Sequence, residues 1–497
     1  MMRNRGRLLC IAVISIALSA CAKIPLATAP AAEREVIAAN LMRDISVLAS
    51  DEYSGREPGT SGETLTVEYL IEQMRGAGLN SGTNDPGSAW RAPVELVSTV
   101  PSGGELTLEV GGDNIAVGSD QGAAFTTASR LLIGRSQMIF VGYEADSVDP
   151  ESIAGKVVVM LGEPGASPAR RAQLFGAGPS AIITVVQDEA AIAQITRNFS
   201  RERVILASEE QKQLTGFVTH AAMREANGEA HWNALVEEAA TERFSPGPLE
   251  ATASMEAMSN RREFTSSNVI GLLSGTMPGS GAVFLMAHWD HLGECRGEQA
   301  GEPVGASICN GAVDNASGIA VMLELARRLN ASGPYDRDIY VLATSAEEAG
   351  LLGAKAFVNA PPVPLDTIVA AFNFDTAAVA PAGSAVGFVG EGRTPLDPVI
   401  LDVMNKSARE LGHRDFADEF VRRQDGWVLL EQGVPAVFLS TAFSSEIVLG
   451  PYLSEDYHQP SDEIEDIELG GAIDDLLLHQ ELVRRFASTT EYPLAEK

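Results

Sequence analysis

Short apolar runs alternate with amphipathic segments through the second half of the chain. "GAVFLMA", "DIYVLATS", "TIVAAFNF", "SAVGFVG" and "PAVFLS" are nearly continuous in apolar residues, which predicts strands buried on both faces. Between them, "ASGIAVMLELARRLN", "GLLGAKAFV", "DPVILDVMNKSARELG" and "GGAIDDLLLHQELVRRFAS" repeat apolar positions every three to four residues, the spacing of amphipathic helices. Strands of this kind alternating with such helices predict an α/β fold, a mostly parallel mixed sheet flanked by helices.

The first half has a different texture. "EVIAANLMRDISVLAS" and "GETLTVEYLIEQMRGAGL" predict two helices, the second stopped near Gly78, and the turn-rich "DEYSGREPGTSG" joins them. From residue 121 to residue 250, "SQMIFVGYE", "KVVVML" and "SAIITVVQ" predict strands and "PARRAQLFGAG" a helix, with no cluster of reactive side chains. This stretch reads as an inserted β-rich module, which divides the main domain into residues 34–120 and 251–497.

The extreme N-terminus does not belong to the fold pattern. Three arginines in "MMRNRGR" precede "LLCIAVISIALSA", an apolar run too short for a comfortable membrane span and ending in small residues. Residues 1–21 thus predict an export signal, and Leu18-Ser19-Ala20-Cys21 resembles a bacterial lipobox with Cys21 as the lipidated residue. Residues 22–33, rich in Ala with Pro25 and Pro30, predict a tether. The protein is then expected to be exported and lipid-anchored, at the outer membrane facing the periplasm or the cell surface. A net charge of −31 argues against a nucleic-acid partner, because phosphate binding needs basic patches. Cys295 and Cys309 bracket a Gly-rich loop and are candidates for a disulfide in an oxidising compartment.

Chemistry concentrates where the predicted strands end. The chain has only seven histidines, and two of them, His288 and His291, flank Asp290 in "AHWDHLG". Glu347 and Glu348 follow "DIYVLATS", Asp375 follows "TIVAAFNF", Asp314 opens the "NASGIAVMLELARRL" helix, and His458 lies in "EDYHQPSDE". Taken singly, Asp314 could be a helix N-cap, the glutamates a first turn favoured by the helix dipole, Asp375 a turn residue and His458 a surface histidine. Taken together, imidazoles and carboxylates on the carboxyl-end rim of a parallel sheet suit a borderline metal such as zinc.

"AHWDHLG", "GAVDNASG", "SAEEAGLLGAKAF", "FNFD" and "YHQPSDE" resemble, in order and spacing, the motifs of the M28 family of di-zinc exopeptidases, bacterial aminopeptidases in particular. "LASDEYSGREPGTSGE" resembles the opening of secreted members, and "IAGKVVVMLGEP" with "GAGPSAIITV" resembles the protease-associated (PA) domain inserted in many of them. The resemblance implies two zinc ions bridged by Asp314, one completed by His288 and Asp375 and the other by Glu348 and His458. It implies Glu347 as the general base acting on a metal-bridging water, and Asp290 as the partner that orients His288 through its second ring nitrogen. The implied substrate is a peptide, cut at its N-terminal residue.

The match has departures. Where many members carry Ser-Asp-His, this chain has Gln424-Asp425-Gly426-Trp427, so the His is missing and Trp427 is a candidate wall for a side-chain pocket or a core residue. His291 is expected to be a structural neighbour, and His220, His231, His413 and His479 to play no part in the chemistry. Three other functions fit the same fold: a carboxypeptidase, with Arg422 and Arg423 as the conspicuous cations for a substrate carboxylate, a glutaminyl cyclase-like enzyme using one zinc, and a non-catalytic receptor-like binding protein.

Overall fold

The computed structural model describes residues 29–144, 148–163, 165–299 and 302–494. The expected signal, Cys21 and most of the tether lie outside the described residues. Helix Ala31–Leu48 begins inside the expected tether, because Ile37, Leu41 and Ile45 already follow the helical spacing and are buried. Among the described residues no helix is long and apolar enough to cross a membrane.

Four strands form the parallel centre of the sheet in the order Ala436–Ser440, Ile368–Asn373, Ala282–His288 and Asp338–Thr344. All seven residues of Ala282–His288 are buried, as its unbroken apolar sequence requires for a strand covered on both faces. Helices Gly318–Ser332 and Leu469–Phe486 pack over one face. Gly387–Val389 adds an antiparallel edge to Ala436–Ser440. The result is the mixed α/β architecture that the strand–helix alternation predicts.

A second apolar core lies around Val157–Leu161 and Ala181–Val186, which are again fully or almost fully buried parallel strands. It differs from the expected insertion at its borders. Leu106 and Leu108 on one side, and Ala251, Ala253, Met255 and Ala257 on the other, belong to this core, although the sequence places them in the main domain. The reason is a pair of very long strands, Arg91–Val110 and Gly247–Leu273, which run antiparallel from Arg91↔Val269 to Glu109↔Thr252 and serve both cores. Arg203–Leu206 pairs with the first of them, opposite Leu96 to Thr99.

Candidate metal centre

Three of the candidate positions stand at, or just beyond, the ends of strands of the parallel centre. His288 is the last residue of Ala282–His288, Glu347 and Glu348 follow Asp338–Thr344, and Asp375 follows Ile368–Asn373. Because Ala282–His288 lies between the other two and parallel to both, the three ends share one rim. Asp314 enters from the segment before helix Gly318–Ser332, in extended backbone at φ −106° and ψ 95°. It does not cap that helix: Ser317 is the N-cap residue, and the side-chain oxygen that accepts from the Gly318 N–H, at 2.9 Å, is Asn315 Oδ1. His458 reaches in from the loop after helix Glu446–Glu455.

The side chains meet around Asp314. Its Oδ1 is 3.3 Å from His288 Nε2, which is also 3.6 Å from Asp375 Oδ1. Its Oδ2 is 3.3 Å from His458 Nε2, which lies 3.0 Å from Glu348 Oε2. The two oxygens of one carboxylate thus face two separate imidazole–carboxylate pairs. His458 Nε2 is buried within 3.3 Å of both carboxylates yet makes a hydrogen bond to neither. A nitrogen aimed between acceptors, not at them, is what a shared cation requires. Imidazole nitrogen with carboxylate oxygen is a donor set that suits zinc, so the residues fit that metal.

Asp290 meets the glutamate pair as well as His288. Its carboxylate accepts the backbone N–H groups of Glu347 at 3.0 Å and Glu348 at 3.3 Å. Its Oδ1 stands 3.9 Å from His288 Nδ1, whose nearer contact is the Asp290 carbonyl at 3.1 Å. Asp290 therefore orients the glutamate pair by its carboxylate and His288 by its backbone. His291 is more than a neighbour: its Nδ1 is 2.8 Å from Glu348 Oε1. Both His291 and His458 present a nitrogen to Glu348. His291, Asp314 and Glu348 form a compact group of possible metal donors, as His288, Asp314 and Asp375 do, and His458 Nε2 stands within 3.3 Å of the same two carboxylates.

Two further residues hold the loops without touching the centre. Arg56, fully buried, donates from Nε to the Trp289 carbonyl at 2.9 Å, and from its terminal nitrogens to the carbonyls of Leu48, Asn310 and Gly311. It ties the N-terminal loop to the segments bearing His288 and Asp314. Asp462 accepts the N–H groups of Val313 at 2.8 Å and Asp314 at 3.1 Å, and its Oδ2 also accepts the Tyr452 hydroxyl at 2.9 Å. Both were in view in the sequence, in "SGREPG" and "YHQPSDE", but a partnership with backbone groups leaves no periodicity to read.

The charge balance follows from burial and crowding. Burial drives the Glu347 carboxyl well above its usual range, aided by Asp425, Glu348 and Asp375 and opposed by His288. Burial likewise raises Asp290 to about 7 and Asp425 to about 6. For His458, burial works against the charged ring, but Asp314 and Glu348 beside it raise its pKa to about 10. Asp314 and Glu348 are held low against burial by the histidines around them. Burial also lowers Arg56 to about 10, although Asp462 and Asp314 favour its charge.

A small cavity of about 30 Å³ opens onto His288, Asp314, Glu347 and Asp375, with Phe438 and Phe443 in its wall. Gln424 and Arg423 line it too, whereas Gly426 and Trp427 do not. Trp427 instead packs at the edge of the neighbouring apolar cluster, with Arg422 stacked 5.2 Å above its ring. A larger cavity of about 510 Å³ opens on the other side of the centre, against His291 and Glu348. Cys295 and Cys309 form a disulfide, their Cα atoms 5.7 Å apart, across the hairpin between the His288 and Asp314 segments.

Comparison with known proteins points the same way as the motifs. Residues 268–476 match the model of peptidase family M28. Aminopeptidase YwaD of Bacillus subtilis (strain 168) is 36% identical over 111 residues, 22% of this chain and 20% of that protein. The alkaline phosphatase isozyme conversion protein of Escherichia coli (strain K12) is 38% identical over 102 residues, 20% of this chain and 29% of that protein. The matched stretches therefore span less than a third of either relative's length. An aminopeptidase from Aneurinibacillus sp. strain AM-1 shares the fold, with a TM-score of 0.53 over 91% of this chain and 94% of that one at 18% identity.

Proposed function

We propose that this chain, whose residues 268–476 are a peptidase family M28 domain, is a di-zinc exopeptidase that removes N-terminal residues from peptides. The observation that supports it most is the division of Asp314, one oxygen toward His288 and the other toward His458. His288, Asp314 and Asp375 would hold one zinc, and Asp314, Glu348 and His458 the other. Zinc, when bound, lowers the pKa of the attacking water and polarises the scissile carbonyl.

The remaining steps fall to this chain's own side chains. Glu347 lines the same cavity as His288, Asp314 and Asp375 but stands outside both ligand sets. Its carboxylate takes the proton of the attacking water and returns it to the nitrogen of the leaving amine. Burial among other carboxylates strengthens its grip on a proton, which is the property a general base needs. Asp290 holds the Glu347–Glu348 backbone, so that one glutamate keeps to the ligand set and the other stays free. Phe438 and Phe443 give the small cavity an apolar wall beside the proposed ligands.

Aminoacyl-p-nitroanilides with free and acetylated α-amines test this reading. Hydrolysis of the free forms with loss on acetylation is expected, together with close to two zinc per chain by metal analysis. Equal rates on both forms would refute aminopeptidase action. One observation favours a second reading: Arg423, exposed and without a carboxylate partner among the described residues, lines the cavity at the metal centre. A carboxypeptidase would use such a cation for the substrate's terminal carboxylate, and acetylated peptides with a free C-terminus would then be its substrates.

A further inference from the structure

We infer that a cavity of about 320 Å³ beside the Arg203–Leu206 strand binds the C-terminal carboxylate of a peptide whose last side chain is apolar or aromatic. The inference deepens the exopeptidase reading and rests on it for the choice of a peptide as ligand.

Its first support is charge. Arg171 and Arg203 both line the cavity, and among the described residues neither forms an ion pair with a carboxylate. In a chain carrying 67 acidic and 36 basic residues, two arginines left without such a partner in one cavity are unusual. Among the described residues Arg171 has one polar side-chain contact, with the Thr184 hydroxyl, 3.3 Å from its Nη1. Burial weakens the charged form of both groups, and for Arg171 the nearby charge of Arg203 adds to that. An incoming anion would relieve both effects, and two guanidinium groups match a carboxylate in shape and charge.

The second support is the wall. Phe125 and Phe199 lie 4.7 Å apart between ring centres, and Phe175 lines the same space. Arg203 stacks 4.1 Å over Phe199, and Arg171 lies 5.2 Å from the centre of the buried Phe217 ring. The guanidinium groups are thus held in place by ring faces, not by acids, and remain free to meet a ligand. A carboxylate next to aromatic surface calls for a ligand with an apolar side chain on the carbon bearing its carboxylate. Thr127, bonded to the Gln211 carbonyl at 2.6 Å, and Gln213, bonded to the Gln211 side chain at 2.7 Å, form a fixed polar margin to the cavity.

The third support is location. Arg203 lines not only this cavity but also the one of about 510 Å³ that includes His291 and Glu348. The two spaces therefore meet at one side chain. A peptide with its amino end at the metal centre can run along the larger cavity and end at the arginine pair. The inserted module would then read the far end of the substrate.

The test compares N-acetyl-Ala-Ala-Phe as the free acid and as the C-terminal amide, binding to the full-length holoprotein by calorimetry. The acid should bind at least tenfold more tightly. Arg171→Gln and Arg203→Gln should each remove that preference, Arg171→Lys should restore part of it, and rates on aminoacyl-p-nitroanilides should stay unchanged in all three. Those small substrates end near the metal centre, so their turnover verifies the fold and tests the exopeptidase reading separately. Equal affinity for acid and amide, or an acid preference that survives both Gln variants, overturns the proposal. Displacement of the acid by an equal concentration of inorganic phosphate would also overturn it, by making the pair a general anion site.

Discussion

The carboxylate of Asp462 holds the backbone of Asp314, with Oδ2 3.1 Å from the Asp314 N–H and Oδ1 2.8 Å from that of Val313. Asp314 is the carboxylate shared by both proposed ligand sets, so its position fixes the centre. In Asp462→Asn the amide would turn one N–H group toward another. A partner of this kind typically contributes 10–100-fold in metal affinity, and we expect a loss of about that size. Competition with a chromogenic chelator measures it, and unchanged affinity would remove Asp462 from the positioning role.

Glu347→Gln separates the base from the ligands. Amide replaces carboxylate at nearly the same volume, so the zinc content should remain at the wild-type value. The turnover number should fall by roughly 10²–10⁴, the range for loss of a positioned general base. Metal loss in parallel with activity would instead make Glu347 part of the ligand set.

Arg56 supplies donors to four carbonyl groups in three segments. Leucine in its place leaves those buried acceptors without partners, at about 1 kcal/mol or more apiece. Arg56→Leu should therefore lower unfolding free energy by about 3 kcal/mol or more in urea titration. Arg56→Lys keeps a charge but loses the planar fork, and should recover less than half of the difference.

His479 gives the protein an acid limit. Its ring is fully buried against Phe374 and Phe372, Nδ1 bonds the Asp475 carbonyl at 2.7 Å, and burial lowers its pKa to about 4. An unfolded histidine titrates near 6.5, so below that pH the unfolded chain takes up a proton that the folded chain refuses. The stability associated with His479 is complete above pH 6.5 and declines as the pH falls toward 4, by about 3 kcal/mol in all. His479→Phe should flatten this part of the stability–pH curve, and an unchanged slope would assign it to other groups.

How much of this could be read from the sequence depended on the kind of contact. The parallel centre was legible because a strand covered on both faces, such as Ala282–His288, must be apolar throughout. The ligand candidates were legible because parallel strands finish on a common rim, where His288, Glu348 and Asp375 interrupt apolar runs. Gly247–Leu273 was not legible as one strand: its middle, "SNRREFTSS", is polar where the ribbon faces solvent, and only its ends are apolar. The borders of the second core were misplaced for the same reason. That the Asp290 carboxylate also accepts the Glu347 and Glu348 N–H groups was not legible, because sequence spacing shows side-chain types and not backbone partners.

The proposed ligands come from five separate segments between residues 288 and 458, and Arg56 bonds the carbonyls next to the first two of them. In the extended chain no two of these segments are neighbours, apart from the fixed backbone around each motif. His288, Asp290 and His291 are close in sequence, but only folding brings Asp314, Glu348, Asp375 and His458 to them. A metal held by all of these residues would therefore be bound by the folded chain and not by any one of its segments.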